Sequence, residues 1–262
     1  MITMEYRTIT TLITGASGGI GEEFARTLAA KGANVILVAR SVDKLTALAD
    51  ELRNKHGIRA DVIGSDLSVP GAATSLVAEV DKLGVDVDFL INNAGFGTHG
   101  DLADADPDRI RDEVALNVAA LTDLTTIYLQ RMTTRKTGSI INVASTAAFQ
   151  PVPHMAVYAA TKAYVLSLSE ALWWEAKRDG VRVLALCPGA TDTAFFDVAG
   201  SDDAAVGTRR STRQVVETAL SALEAGKPSV VDGAFNKLSA GSSRFAPRRL
   251  VVAVAERAVR SR

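Results

Sequence analysis

"TTLITGASGGIG", residues 10–21, joins a short apolar run to a glycine-rich loop. The run is apolar without alternation, which is typical of a strand buried on both faces of a parallel sheet. The loop places Gly15, Gly19 and Gly21 before a segment of helical spacing. Glycines let a backbone turn tightly and approach a pyrophosphate, and a helix N-terminus favours an anion. The spacing differs from GxGxxG, so the loop alone fits a dinucleotide site and a structural turn about equally.

The same alternation continues along the chain. Further apolar runs lie at 33–39, 60–64, 87–92, 139–145, 181–187 and 228–231. Segments of helical spacing lie at 19–31, 41–56, 71–83, 106–133, 156–179 and 211–226. Strand and helix alternate throughout, which predicts right-handed crossovers in an α/β fold. We expect one domain over 1–262, a Rossmann-type doubly wound parallel sheet of about seven strands with helices on both faces. Residues 233–262 form a C-terminal extension with a basic amphipathic helix.

Bulk properties narrow the class of protein. The 262 residues carry a formal net charge of −1, which gives no sign of a nucleic-acid partner. Cys187 is the one cysteine, so no disulfide forms within the chain. The N-terminus does not look like a signal peptide, and no apolar run approaches the ~20 residues of a membrane helix. The three histidines and Cys187 share no metal-ligand spacing. We expect a soluble, cytoplasmic protein without a metal site.

Polar and glycine residues gather where the apolar runs end, and ligands bind such sheets at that edge. Five motifs occur in order: Thr14-Gly15-x-x-x-Gly19-x-Gly21, Asn92-Asn93-Ala94-Gly95, Ser145, Tyr158-x-x-x-Lys162 and Pro188-Gly189. Together they resemble the short-chain dehydrogenase/reductase family, in its single-domain branch, over about residues 8–232. The resemblance implies carbonyl reduction or alcohol oxidation on a small molecule, with a nicotinamide cofactor.

Tyr158 and Lys162 stand one helical turn apart and therefore share a face. A free phenol has a pKa near ~10, and a neighbouring cation lowers it toward the working range of a general acid or base. The resemblance adds that Lys162 holds the nicotinamide ribose and that Ser145 binds the substrate oxygen. It also assigns Asn117 to a proton relay through a water, although a buried asparagine bonded within its helix is the alternative.

A second function uses the same fold without turnover, a non-catalytic NADP-sensing protein. Fold alone does not separate the two. A sensor is free to lose its catalytic side chains, yet Ser145, Tyr158 and Lys162 are all present. The sequence therefore favours the enzyme.

The end of the second strand indicates which cofactor binds. Ala39 stands where NAD-binding proteins carry an acid, and Arg40 follows, which favours NADP(H) over NAD(H). A solvated Arg40 at a helix start is the alternative. The resemblance places Asp66 and Leu67 at the adenine, although Asp66 could cap the next segment. The expected cofactor residues are Gly15, Ser17, Gly19, Ile20, Gly21, Arg40, Ser41, Asp66, Leu67, Asn93, Ala94, Gly95, Tyr158, Lys162, Pro188, Gly189, Thr191 and Thr193.

The last third of the chain carries two further predictions. Residues 191–207, rich in small and acidic residues, are interpreted as a mobile lid. Residues 244–262 contain six arginines and one acid, and an apolar helical face is expected at Leu250, Val251, Val254 and Ala258. A docked helix or dimer element is favoured for this tail over a membrane-surface helix. Because the resembled family often pairs through the helix at 156–179, we expect a homodimer or homotetramer.

Overall fold

The structure is a computed structural model that describes residues 5–200, 209–242 and 245–259. Its seven strands all run parallel, in the order β3-β2-β1-β4-β5-β6-β7. The strands are β1 Thr10–Thr14, β2 Asn34–Ala39, β3 Ala60–Gly64, β4 Phe89–Asn92, β5 Gly138–Val143, β6 Val181–Cys187 and β7 Ser229–Val231. The predicted doubly wound sheet is confirmed, and each strand lies within about two residues of its predicted bounds.

Helices connect the strands and cover both faces of the sheet. They are α1 Gly19–Ala30, α2 Val42–His56, α3 Ala72–Lys82, α4 Pro107–Val114, α5 Leu121–Arg135, α6 Ala156–Ala176, α7 Phe195–Ala199, α8 Thr212–Glu224, α9 Ala234–Ser242 and α10 Arg248–Val259. The predicted helix at 106–133 is in fact two helices, because residues 115–120 form a π-helical turn between α4 and α5.

The core lies in two layers, one on each side of the sheet. Ile13 belongs to the layer that includes Phe24 of α1, whereas its neighbour Leu12 belongs to the layer that includes Tyr128 of α5. Both strand residues are fully buried. Burial of each such side chain stabilises the fold by roughly 1.5–3 kcal/mol. The uninterrupted apolar runs in the sequence thus reflect strands covered by helices on two sides.

The strand order reverses its direction across the sheet between β1 and β4, and this positions the site. Leu12 pairs with Ile36 of β2 on one side and with Leu90 of β4 on the other. Crossovers then run outward in both directions, so a crevice opens between the carboxyl ends of β1 and β4. The Thr14 hydroxyl spans this crevice, since it accepts hydrogen bonds from the backbone N–H groups of Asn93 and Ala94, both at 3.0 Å.

The tail forms helix α10, but three of the four residues predicted for its apolar face are exposed. The buried residues are Val251, Ala255 and Val259, whereas Leu250 and Val254 are 55% and 57% exposed and Ala258 is exposed. The buried set follows i, i+4, i+8 spacing and places Val259 against the cluster around Tyr158. The docked face contains the small residue Ala255. The larger side chains Leu250 and Val254 lie on the neighbouring, exposed face of the helix.

Only residues 191–200 of the predicted lid are described by the structure. Its first part contains the short helix α7. Residues 201–207 of the predicted lid lie outside the described residues, and so do residues 244 and 260–262 of the predicted tail.

Candidate active site

Tyr158 and Lys162 lie in the first turns of α6 and share its buried face, as predicted. Tyr158 is 8% exposed and Lys162 is 4% exposed. The Lys162 ammonium donates a 2.8 Å hydrogen bond to the carbonyl of Val143, at the end of β5. Its Nζ lies 5.7 Å from the centroid of the Tyr158 ring. The helix thus places a phenol and an amine together beside the carboxyl end of a central strand.

Ser145 follows β5 and faces the same phenol. Its side chain begins a short 3₁₀ turn, Thr146–Phe149, and accepts a 3.1 Å hydrogen bond from the N–H of Ala147. The Ser145 hydroxyl also lies close enough to the Tyr158 phenol to lower its pKa. The strand end and the turn therefore fix the hydroxyl beside the phenol, so that one substrate oxygen could contact both.

Asn117 is buried in the π-helical turn and links two other elements. Its amide nitrogen donates to the carbonyl of Phe96 at 2.8 Å and to the Thr161 hydroxyl at 3.2 Å, while its oxygen accepts from the N–H of Phe96 at 3.2 Å. These bonds leave its own helix, unlike the alternative of a helix-internal asparagine. Asn117 therefore ties the loop after β4 to α6, directly beside Lys162.

Burial dominates the proton affinities of this group. It raises the pKa of Tyr158 to about 12, and the neighbouring Ser145 hydroxyl opposes this only in part. Burial also lowers the pKa of Lys162 to about 8. The expected lowering of the Tyr158 pKa is therefore not what the structure shows, since burial has the largest effect on the phenol and raises its pKa. Near neutral pH the phenol keeps its proton, as a proton donor to a carbonyl requires.

The glycine loop after β1 is shaped for close backbone approach. Gly15 and Gly19 have φ of +66° and +58°, a region that residues with a Cβ rarely adopt. A Cβ on Gly21 would lie 2.5 Å from Asn93 Nδ2 and closer still to the carbonyl oxygen of Gly15. Asn93 braces the loop, because its amide donates to the carbonyls of Thr14 at 2.9 Å and Gly15 at 3.2 Å.

The loop leads into a helix end that fits a pyrophosphate. Helix α1 begins at Gly19, and no side chain caps its N-terminus, so its first N–H groups have no side-chain acceptor. Such a terminus favours an anion. Ser17 and Ile20 are half-buried around it. The predicted loop residues fit a dinucleotide phosphate in both backbone shape and charge.

The adenosine end of the predicted site lies at β2 and β3. Arg40 has a 76% exposed side chain and lies 3.9 Å from the Asp66 carboxylate, while Ser41 is exposed at the start of α2. Asp66 accepts hydrogen bonds from the N–H and hydroxyl of Ser68, at 3.0 and 2.7 Å. It therefore caps the next segment, which was the alternative considered for it, while Leu67 beside it is buried.

The loop after β6 completes the crevice. Thr193 reaches the glycine loop, since a Cβ on Gly19 would lie 2.9 Å from its methyl carbon. Pro188 accepts a backbone hydrogen bond from Thr146 at 2.9 Å, and the Thr191 hydroxyl donates to the carbonyl of Gly189 at 3.1 Å. Asn93, Ala94 and Gly95 approach from the β4 side, and a Cβ on Gly95 would lie 2.9 Å from Asn117 Oδ1. The structure thus brings the predicted loops together at one edge of the sheet.

Two apolar residues at the phenol were missed by the sequence analysis. The Phe195 ring of α7 lies 5.2 Å from the Tyr158 ring, centroid to centroid. Val259 of α10 packs into the same cluster, whose buried members include Val152 and Met155. The His99 ring nitrogen contacts the carbonyl of Val259 at 2.9 Å and anchors this end of α10. Recognition of the 251/255/259 spacing would have indicated Val259, but no local pattern points Phe195 at Tyr158.

The described ranges, which omit residues such as 201–208, contain neither a cluster of metal ligands nor a helix that could span a membrane. No group of three or more His, Cys, Asp or Glu side chains there could hold a metal ion. Within the same ranges, no helix has the length and apolar content needed to cross a bilayer.

Comparisons with known proteins agree with this geometry. The parallel sheet and glycine loop define a Rossmann-type dinucleotide-binding fold. A family profile described as "short chain dehydrogenase" matches residues 9–204. The chain belongs to the short-chain dehydrogenase/reductase family of oxidoreductases.

Three relatives illustrate the match. The granaticin polyketide synthase putative ketoacyl reductase 1 of Streptomyces violaceoruber is 38% identical over 71% of this chain and 69% of its own. The very-long-chain 3-oxoacyl-CoA reductase of Coprinopsis cinerea is 38% identical over 66% of this chain, and the match spans about half, 51%, of its own length. A short-chain dehydrogenase from Sphingobium yanoikuyae, solved in complex with NADPH, is 31% identical with a TM-score of 0.82, covering 90% of this chain and 94% of that one.

Proposed function

We propose that this protein is an NADP(H)-dependent oxidoreductase that interconverts a carbonyl and an alcohol, with Tyr158 as general acid and base. The observation that carries the proposal is that the buried Tyr158 and Lys162 meet the half-buried Ser145 at the carboxyl end of β5. These side chains lie beside the crevice that the glycine loop opens. A protein that only sensed the cofactor would have no need of a proton donor there.

Each side chain has a role that follows from its position. The bound cofactor supplies or accepts a hydride at the substrate carbon. In reduction, the Tyr158 phenol donates its proton to the substrate oxygen as negative charge develops there, and Ser145 donates a hydrogen bond to the same oxygen. Lys162 would hold the ribose hydroxyls, and Asn117 keeps the neighbouring loop against α6. In oxidation, Tyr158 accepts the proton instead.

The preference for NADP(H) rests on Arg40. The guanidinium is mostly exposed at the end of β2, and Ala39 beside it carries no charge. A 2′-phosphate would gain a charge-assisted hydrogen bond there, whereas an acid would repel it. The NADPH bound to the Sphingobium relative supports the same choice.

We also propose a substrate with an apolar body. Phe195, Met155 and Val259 surround Tyr158, and none of them brings a charge. The names of the two curated relatives, both acting on acyl substrates, support this class. The protein is further proposed to be one catalytic domain over residues 1–262, in the cytoplasm, as a homodimer or homotetramer.

Turnover with purified protein tests the function. Incubation with NADPH and a panel of ketones and aldehydes should oxidise NADPH for at least one apolar ketone. Tyr158→Phe should lower kcat at least about 100-fold, the scale of a lost general acid, and leave the Kd for NADPH within a few-fold. Turnover by that variant within a few-fold of the wild type contradicts the assignment of Tyr158. Tight NADPH binding without turnover of any carbonyl supports the sensor instead.

A further inference from the structure

Glu113 is a fully buried carboxylic acid that the proposed mechanism does not use. It lies in the last turn of α4, four residues before Asn117, and its exposure is 0%. The hydroxyl and backbone N–H of Thr98 face its carboxylate and lower its pKa, but neither carboxylate oxygen has a partner of full hydrogen-bond geometry among the described residues. A buried carboxylate with such weak hydrogen bonding is costly, so the charges around it must help account for its presence.

Two cations face Glu113 from different elements. Arg109 lies one turn earlier on α4, and Lys162 lies on α6, which packs against α4. Both favour the ionised carboxylate, although burial raises the pKa of Glu113 overall. The Arg109 guanidinium is already engaged, since it donates to the carbonyls of Gly97 at 3.3 Å and Val198 at 2.7 Å and lies over the Phe96 ring. The Lys162 ammonium likewise donates to a carbonyl, that of Val143. Because these partners are neutral, both cations keep their charge, and Glu113 is the acid placed to balance them.

Three titratable groups face Lys162: Glu113 from α4, Cys187 from β6 and Tyr158 on α6 itself. Burial raises the pKa of the Cys187 thiol to about 12 and that of the Tyr158 phenol to about 12. Both are neutral near pH 7, so neither supplies negative charge to the ammonium. Of the three, the carboxylic acid is the group that ionises below neutral pH in water. Of these three groups, Glu113 is therefore the one that can carry the negative charge that opposes the loss of the Lys162 proton.

We propose that Glu113 is a positioning residue: its buried carboxylate is the countercharge that keeps Lys162 an ammonium in this dry site. The same negative charge favours the protonated form of Tyr158. Both effects hold protons on the pair, which suits proton donation to a carbonyl. The part of the inference that concerns catalysis rests on the proposed function, whereas the coupling of Glu113 to Lys162 belongs to the protein without cofactor.

Glu113→Gln tests the coupling directly, because it removes the charge and keeps the shape. The titration of Lys162 is followed by NMR of labelled lysine side chains in the unliganded protein, with the resonance assigned by its loss in Lys162→Met. We expect the midpoint of Lys162 to move to lower pH in Glu113→Gln. The matched control is Asp112→Asn, which removes an exposed carboxylate one residue away and should leave the midpoint in place. Equal midpoints in wild type and Glu113→Gln overturn the proposal.

A second measurement reports on the role of the charge. NADPH affinity, measured by fluorescence against pH, should begin to fall at lower pH in Glu113→Gln than in wild type, by about tenfold per pH unit beyond the midpoint. Asp112→Asn should follow the wild type. Glu113→Leu, which suits an apolar site, replaces the amide variant if that one is unstable. The Lys162 midpoint could shift in Glu113→Gln while the pH dependence of NADPH affinity and of kcat/KM stays the same. That result would overturn the positioning role. Absence of turnover by the wild type contradicts the proposed function and leaves the NMR result to decide the coupling.

Discussion

Arg40 shows how one residue can set the choice of cofactor. Its side chain is 76% exposed, and its nearest acid is Asp66 at 3.9 Å. An exposed pair of this kind contributes at most about 1 kcal/mol, so little is lost when the guanidinium turns to a phosphate. Ala39 beside it lacks the acid that would repel that phosphate, so we expect the proposed NADP(H) preference to depend on both positions.

Arg40→Ala should remove most of the margin between the two cofactors. A charge-assisted hydrogen bond to the 2′-phosphate should favour NADPH over NADH by roughly 1.5–3 kcal/mol, or about one to two decades in Kd. Ala39→Asp should erase it more completely, because it adds repulsion. Titration of both cofactors against wild type and the two variants measures this. Lys44→Ala, an exposed cation on α2, is the control and should leave the ratio unchanged. Equal or tighter NADH binding by the wild type refutes the assignment.

Sequence reasoning was strongest for residues whose chemistry is local. Tyr158 and Lys162 are four apart on one helix, so their juxtaposition follows from helical geometry alone. Glu113 was not predicted, because an acid near the end of a helix usually faces solvent, and only the packing of α4 on α6 brings it toward Lys162. The direction of the Tyr158 pKa shift was also missed, since desolvation depends on the surroundings in three dimensions and not on spacing.

At the scale of elements, the glycine loop is a tight junction between three parts of the chain. It holds the end of β1, the start of α1 and the Asn93 side chain within direct contact. Gly21 has no room for a side chain, whereas Gly18, three residues earlier, has open space and an extended φ of 176°. The structure therefore requires glycine at position 21 but has room for a side chain at position 18.

Gly21→Ala should cost roughly 1–3 kcal/mol of unfolding free energy through overpacking, and it should weaken NADPH binding because the loop must shift. Gly18→Ala should stay within about 0.5 kcal/mol of wild type, as surface substitutions do. Urea unfolding and NADPH titration of both variants provide the comparison. If Gly21→Ala matches Gly18→Ala in both measurements, close packing does not explain the loop.

The strands were predictable and one helix was not, for a physical reason. Strands covered on both faces need uninterrupted apolar residues, and that pattern is visible in one dimension. The π-helical turn at 115–120 contains neither proline nor glycine, so nothing in the residue types marks the change of helical pitch. The turn contains Asn117, and such turns tend to occur at functional sites.

At the scale of the whole molecule, the C-terminal helix α10 connects the cluster around Tyr158 to the surface. The inner face of α10 places Val259 in the cluster around Tyr158, and His99 holds its backbone. The outer face leaves Leu250 and Val254 exposed. The sequence predicted an amphipathic helix, but of the residues predicted for its apolar face only Val251 is buried, because docking depends on what α10 contacts and not on hydrophobicity alone.

Removal of α10 should therefore disturb stability and the site together. A chain ending at Pro247 loses the buried valines Val251 and Val259, worth roughly 3 kcal/mol in unfolding free energy, and it opens one wall at Tyr158. Two single variants separate the faces: Val259→Ala should lower the stability and alter the KM for an apolar ketone, whereas Val254→Ala should change neither. Urea unfolding, light scattering and steady-state kinetics on the three proteins test this.

A membrane-surface helix predicts a different outcome. In that case the truncated protein keeps its stability, oligomeric state and activity. The intact protein binds anionic vesicles and is released from them by salt, whereas the truncated protein does not bind them. That result would contradict a docked helix, since α10 would then lie on a bilayer and not against Tyr158.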